Sequence, residues 1–283
     1  MVLEELIDAI KAENKPMKLF FYGVILSTVA IFLSLWIFRT YSSLIMVFLI
    51  TMGALPLIYV IIKNEEEKDL TDLGEKLLLK EHAKALNAFM YLFVGITFTL
   101  AFWYAVLPSG TVSILFNSQT STIQSINGNV TGQVSNSLAI FSHIFLNNLK
   151  VMVFCILFSF LYGAGAMFIL TWNASVIGTA IGNFIRSNLA LAAELAGLPK
   201  VAHYFQTIAI GLLKYAIHGI PEILAYFTAG LAGGIISVAV IRHDFGSRKF
   251  EHIVLDSADL LILSLVILFV AAFLEVYVTP LVF

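Results

Sequence analysis

A helix that crosses a bilayer needs about 20 consecutive apolar residues, because roughly 30 Å of hydrocarbon is spanned at 1.5 Å per residue with every backbone polar group bonded inside its own segment. This chain meets that condition over residues 19–38, 42–62, 88–107, 151–170, 221–241 and 260–278. A soluble core could not hide so much apolar side chain: 60% of the 283 residues are hydrophobic and only 12% charged, with a mean hydropathy of +0.95. The expected fold is all-α, a polytopic transmembrane helical bundle of six to seven spans with lipid as its solvent. Without a Pro/Gly/Ser-rich linker, residues 1–283 read as a single transmembrane domain.

A net charge of −2 offers no basis for nucleic-acid binding. The lone cysteine, Cys155, lies in an apolar run and reads as a small core residue. The opening residues carry Glu4, Glu5 and Asp8, unlike the basic start of a cleaved signal peptide, so the first apolar run is expected to persist. Lysine and arginine set the expected orientation, since short cytoplasmic connections retain positive charge. Lys11, Lys15 and Lys18 precede the first run, five lysines from Lys63 to Lys84 fill the second connection, and Arg242, Arg248 and Lys249 fill the last. Residues 108–148, rich in Ser, Thr, Asn and Gln, contain no Asp, Glu, Lys or Arg and read as an extracytoplasmic loop. The N-terminus is therefore expected in the cytoplasm of a prokaryote and the C-terminus outside.

Between the fourth and fifth runs lies an irregular stretch with Asn173, Asn183, Arg186, Asn188, Glu194, Lys200 and Lys214. The charge pattern demands an odd number of crossings here. One crossing over residues 203–219, with a broken or re-entrant helical excursion near 171–200, is the simplest solution; three crossings is the rival, and Arg186 weighs against it. Residues 63–86 carry Leu70, Leu73, Leu77, Leu78 and Leu86 at helical spacing amid Glu and Lys, predicting a cytoplasmic amphipathic helix. Such a helix docks either on the bundle or on a cytosolic partner.

Polar side chains are costly in lipid and point inward, to a partner or to water, so they are the candidate site residues. His143 and Asn147 share a helical face beside Asn148; Asn173 lies near the inner end of the fourth run; Lys214 is at membrane depth. In His218-Gly219-Ile220-Pro221-Glu222, proline suits the first position of a helix, predicting a break at Gly219 with Glu222 in the new first turn. His218 and Glu222 would then pair, or be the best candidates for a metal site, with His143 or His203 as a third ligand, since zinc in a catalytic site takes three protein ligands. No cofactor is expected. Gly163 and Gly165, Gly178 and Gly182, and Gly230, Gly233 and Gly234 with Ala225 and Ala229 predict close helix packing, within the chain or across a homodimer.

Asn147-Asn148 before a long apolar helix, Gly163-Ala164-Gly165 within it, Asn173 followed by Gly178, and His218-Gly219-x-x-Glu222 leading into an Ala/Gly-rich helix together resemble the stage II sporulation protein M family over residues 142–242. The resemblance implies a membrane anchor or scaffold, as in spore formers, where the family member holds peptidoglycan-cleaving proteins. Three functions are thus in view. They are a non-enzymatic scaffold or assembly subunit with a membrane or cytosolic protein partner, a transporter or channel for an ion, lipid or small solute working at a helix break, and an intramembrane metal-dependent enzyme.

Overall fold

The computed structural model describes residues 15–70, 75–131, 137–191, 198–242 and 247–282. Residues 1–14 and 71–74, parts of the expected loop (132–136) and of the irregular stretch (192–197) lie outside the described residues. Among the described residues there is no strand, and seven helices are long and apolar enough to cross a membrane. Helix α1, Met17–Ile37, passes through the short turn Arg39–Tyr41 into α2, Ser42–Asp69, and α3, Glu75–Val106, returns beside them. Two short helices follow, α4 (Ser109–Leu115) and α5 (Asn117–Thr131). Then come α6 (Ser137–Tyr162), α7 (Ala166–Leu191), α8 (Leu198–Arg242) and α9 (Arg248–Phe273), the last widening into a π turn, Leu274–Val278, and ending in α10, Thr279–Val282.

Alternation of the long helices gathers the lysine-rich ends of α2 and α3 with the arginine-bearing ends of α8 and α9 at one end of the bundle, the charged end, and leaves α4 and α5 at the other, beside Arg39 and Arg186. Helix α8 is the axis: 83% of its apolar window is buried, against 22% for α6 and for α9. On α1 the residues that stay uncovered include Phe21, Ile25, Phe32 and Trp36, large apolar groups suited to a lipid-facing surface.

The seven candidate spans among the described residues match the expected number, but three are not where hydropathy puts them, and 203–219, expected to cross alone, is the first half of α8. The fourth apolar run, 151–170, is not one helix. It is cut by a reversal at Gly163, whose φ of +72° an L side chain rarely adopts, and Ala164 N–H donates to the Tyr162 carbonyl at 2.8 Å. The Ser159 hydroxyl accepts from Ala166 N–H at 3.2 Å and so caps the new helix. Residues 171–191 of the stretch expected to be broken or re-entrant near 171–200 are consequently the continuous body of α7, and Ala166–Leu189 is itself long and apolar enough to cross. Conversely, the expected break at Gly219 is absent, because α8 runs straight through Pro221. Proline removes one intrahelical donor, a loss membrane helices tolerate when neighbours support them, and the packing of α8 at the centre supplies that support.

Glycines set the closest approaches within the chain. A methyl group on Gly233 would fall 2.8 Å from the Ile156 carbonyl oxygen, and one on Gly234 would fall 2.5 Å from that of Gly163. Gly178 and Gly182 abut the Thr97 and Ala101 carbonyls of α3, and Gly230 meets Ala166. These predicted packing residues are therefore used inside one chain, where backbone contact replaces the side-chain layer.

Candidate functional site

Four-residue spacing brings His218, Glu222 and Tyr226 onto one face of α8. Glu222 lies roughly 30 Å along the helix from Arg242 at the charged end, about one hydrocarbon thickness, so this face sits near the far boundary of the apolar layer. The Tyr226 hydroxyl, on a fully buried ring, donates to Glu222 Oε1 at 2.8 Å. Helix α9 completes the face. Its π turn inserts an extra residue per turn and brings Glu275 within electrostatic reach of Glu222 and Tyr226. In the same turn the Leu274 carbonyl accepts both the Thr279 N–H and, at 3.1 Å, the Thr279 hydroxyl, leaving the Thr279 side-chain oxygen to accept from His218 Nδ1 at 3.3 Å. The arrangement holds two carboxyl groups between α8 and α9 with one hydroxyl donor and an imidazole beside them. An ion or a proton is what such a group can bind.

The expected partnership of His218 and Glu222 is replaced by separate ones, since an unbroken helix sets them one turn apart and each bonds elsewhere. Among the described residues no group of three His, Cys, Asp or Glu could hold a metal ion. His143 is exposed on α6, as is Asn147, while Asn148 is buried. The Asn173 amide donates to the Ile169 carbonyl of its own helix at 2.9 Å, and Lys214 is exposed on α8, free to snorkel. Arg186, which weighed against a crossing, spends its charge on a helix end: its guanidinium donates to the Tyr104 and Leu107 carbonyls at 3.1 and 2.7 Å and to Ser109 Oγ at 2.7 Å.

A second polar cluster, which sequence reasoning missed, lies at the charged end. Glu65 and Asp69, one turn apart on α2, are fully buried, as is His82 of α3. His82 Nδ1 lies 2.8 Å from Glu65 Oε2, and Nε2 lies 3.0 Å from Asp69 Oδ1, close but poorly aligned for a hydrogen bond. The ring can serve two carboxylates only as the imidazolium, a donor at both nitrogens. Lys68 donates to Glu65 Oε1 at 2.6 Å, and Arg242 from the end of α8 reaches Glu66 and Glu67 at 2.6 and 2.9 Å. The available signal was the Glu65/Asp69 spacing; its partner 13 residues past Asp69 could be found only from the fold.

Seven apolar helices with an ionisable face between the two most C-terminal of them define a polytopic α-helical membrane protein. Within that class the chain belongs to the family of stage II sporulation protein M, whose sequence pattern matches residues 88–280. An uncharacterized protein of Methanocaldococcus jannaschii is 28% identical to it over 143 residues, covering 50% of this chain and 71% of that protein. No solved structure matches. The matched region begins in α3 and contains both halves of the embedded site, Glu222 and Glu275, whereas α1, α2 and His82 precede it.

Proposed function

We propose that this chain is a multi-pass membrane scaffold or assembly subunit with no catalytic activity of its own, seated in a prokaryotic cell membrane with its N-terminus cytoplasmic and its C-terminus outside. The observation that carries this reading is the braced pair of helix ends at the charged end. Helix α2 continues past its apolar run to Asp69 and α3 begins at Glu75, well before its own, so the two project by roughly 10 and 20 Å. Buried ion pairs through His82 fix their geometry, and Arg242 ties them to the bundle axis. The projecting part of α3 leaves Leu77 and Leu79 about half exposed between Lys76 and Lys80, an apolar contact with a basic rim. A photo-crosslinker at Leu77, activated in native membranes, should capture a stoichiometric partner identified by mass spectrometry. Recovery of the chain alone, or only as its own oligomer, defeats the scaffold reading.

A second reading, a transporter of an ion or small solute, is favoured by one specific feature, the Glu222/Glu275 pair between α8 and α9. Its test is flux in liposomes. His218→Ala and Glu222→Ala, folded but without flux that the unmodified chain supports, would establish transport over scaffolding.

A further inference from the structure

The end opposite the His82 cluster is closed by a helical hairpin, α4 and α5, where a loop was expected. Its tip, Leu115 and Phe116, is fully buried, with the Phe116 ring 5.1 Å from that of Tyr104. Just beyond the tip, Gln119 is also fully buried, bridging two long helices: Ser43 Oγ of α2 donates to its Oε1 at 2.7 Å, and its Nε2 donates to Ser175 Oγ of α7 at 3.2 Å. Ser118 N–H donates to the same Ser43 hydroxyl at 3.2 Å. The hairpin is thus seated on α2 and α7 by neutral hydrogen bonds.

Ser175 is the middle member of a row. Thr171, Ser175 and Thr179 follow at four-residue spacing along one face of α7, and all three are buried to within 1%. A helical threonine ordinarily donates to the carbonyl four residues back, as Thr51, Thr99 and Thr228 do here. Among the described residues the Thr171 and Thr179 hydroxyls have no hydrogen-bond partner, and neither does that of Thr97 on α3, whose carbonyl abuts Gly178. An unbonded hydroxyl in an apolar interior is unfavourable, and bound water with two or more polar partners is the ordinary remedy. With no Asp, Glu, Lys or Arg on this row, it suits a neutral ligand.

We propose that these hydroxyls form a water-binding seam between α2, α3 and α7, and that the α4–α5 hairpin, through Gln119, is the gate admitting water to it from the hairpin end of the bundle. The inference stands apart from both the scaffold reading and the carboxylate pair.

The test uses the full chain in liposomes with Cys155→Ala and one cysteine at a time, Thr171→Cys, Thr179→Cys or, as a dry control of equal burial, Leu170→Cys. The probe is methanethiosulfonate ethylammonium. Both seam cysteines should react at least about tenfold faster than Leu170→Cys, and adding Gln119→Ala should accelerate them again by a similar factor while the control stays unchanged. Equal slow reaction at all three positions, or an equal rise at all three with Gln119→Ala, overturns the proposal. A second measurement needs no substitution: hydroxyl radicals made by X-rays from bound water should oxidise Met167, one turn from Thr171, faster than the equally buried Met152. Equal oxidation of the two would also overturn it.

Discussion

The cluster at the charged end and the face buried between α8 and α9 both take carboxylates out of water, but they neutralise them differently. Glu65 and Asp69 are met by the His82 ring, Glu65 again by Lys68, and Glu66 and Glu67 by Arg242, so opposite charges answer one another at 2.6–3.0 Å. Glu222 is met by a tyrosine hydroxyl, and the neighbouring charged group is another carboxylate, Glu275. Within reach of water, paired ions can be assembled at modest net cost, and they fix two helices against each other. Between apolar helices a carboxyl without a cation has either to hold a proton or to wait for an ion, which is a poor way to fasten helices and a good way to respond to something. Glu65, Asp69 and His82 precede the family-matched residues, whereas Arg242, Glu222 and Glu275 lie within them.

The largest expected effect tests the bracing. His82→Ala leaves two fully buried carboxylates without the cation between them, and breaking a buried pair from one side costs on the order of 3–5 kcal/mol. Unfolding of the purified protein in detergent should register that loss, with His82→Gln, which keeps one donor, falling between. A loss below about 1 kcal/mol for His82→Ala would mean that water already hydrates the cluster, and the contrast between the two regions would disappear.

The embedded face should respond less. Tyr226→Phe removes the hydroxyl donated to Glu222 Oε1 and costs about 1–3 kcal/mol, the usual penalty for leaving a buried acceptor unsatisfied. Glu222→Gln retains an acceptor for that hydroxyl and should cost less than Tyr226→Phe in the same assay. The reverse order would show that Glu222 is held as an ion by a group other than those described, and both regions would then be paired-charge structures.

Salt separates the two further. Exposed pairs are screened over about 8 Å at physiological ionic strength. Raising salt, or substituting Lys84→Ala to delete its exposed pair with Glu81, should change stability by less than about 0.5 kcal/mol. The buried His82 cluster should be unmoved by salt, since it has no room for counterions.

What the sequence disclosed follows from which forces leave a linear trace. Apolar runs and the lysine bias report the transfer of whole segments into lipid, and they sufficed for an all-α bundle of seven crossings. They carry no record of a backbone reversal inside an apolar run. Residues 151–170 look uniform to hydropathy although Gly163 turns the chain there, and Pro221 reads equally as a helix start or as an interior residue that the surrounding bundle supports. The hairpin of α4 and α5 was invisible because it is polar and uncharged, held by Gln119, Ser43 and Ser175 rather than by a stripe. In the site, His218 and Glu222 were legible as expensive residues, whereas Tyr226 looks like any core aromatic and Glu275 comes near them only through a π turn 50 residues later.

The asparagines at the start of the fourth crossing give the smallest and sharpest expectation, because they are adjacent in sequence and differ only in the face they occupy. Asn148 is 8% exposed, and Asn147 faces outward together with His143. Asn148→Ala should lower stability by about 1 kcal/mol, the order typical of one hydrogen-bonding side chain removed from a buried position. Asn147→Ala and His143→Ala should be indistinguishable from the unmodified chain in the same unfolding assay. If Asn147→Ala or His143→Ala proved the costly change in native membranes but not in detergent, its outward face would be in contact with another protein. The polar residues on the outside of the bundle would then belong to the scaffolding surface rather than to the bundle's own packing.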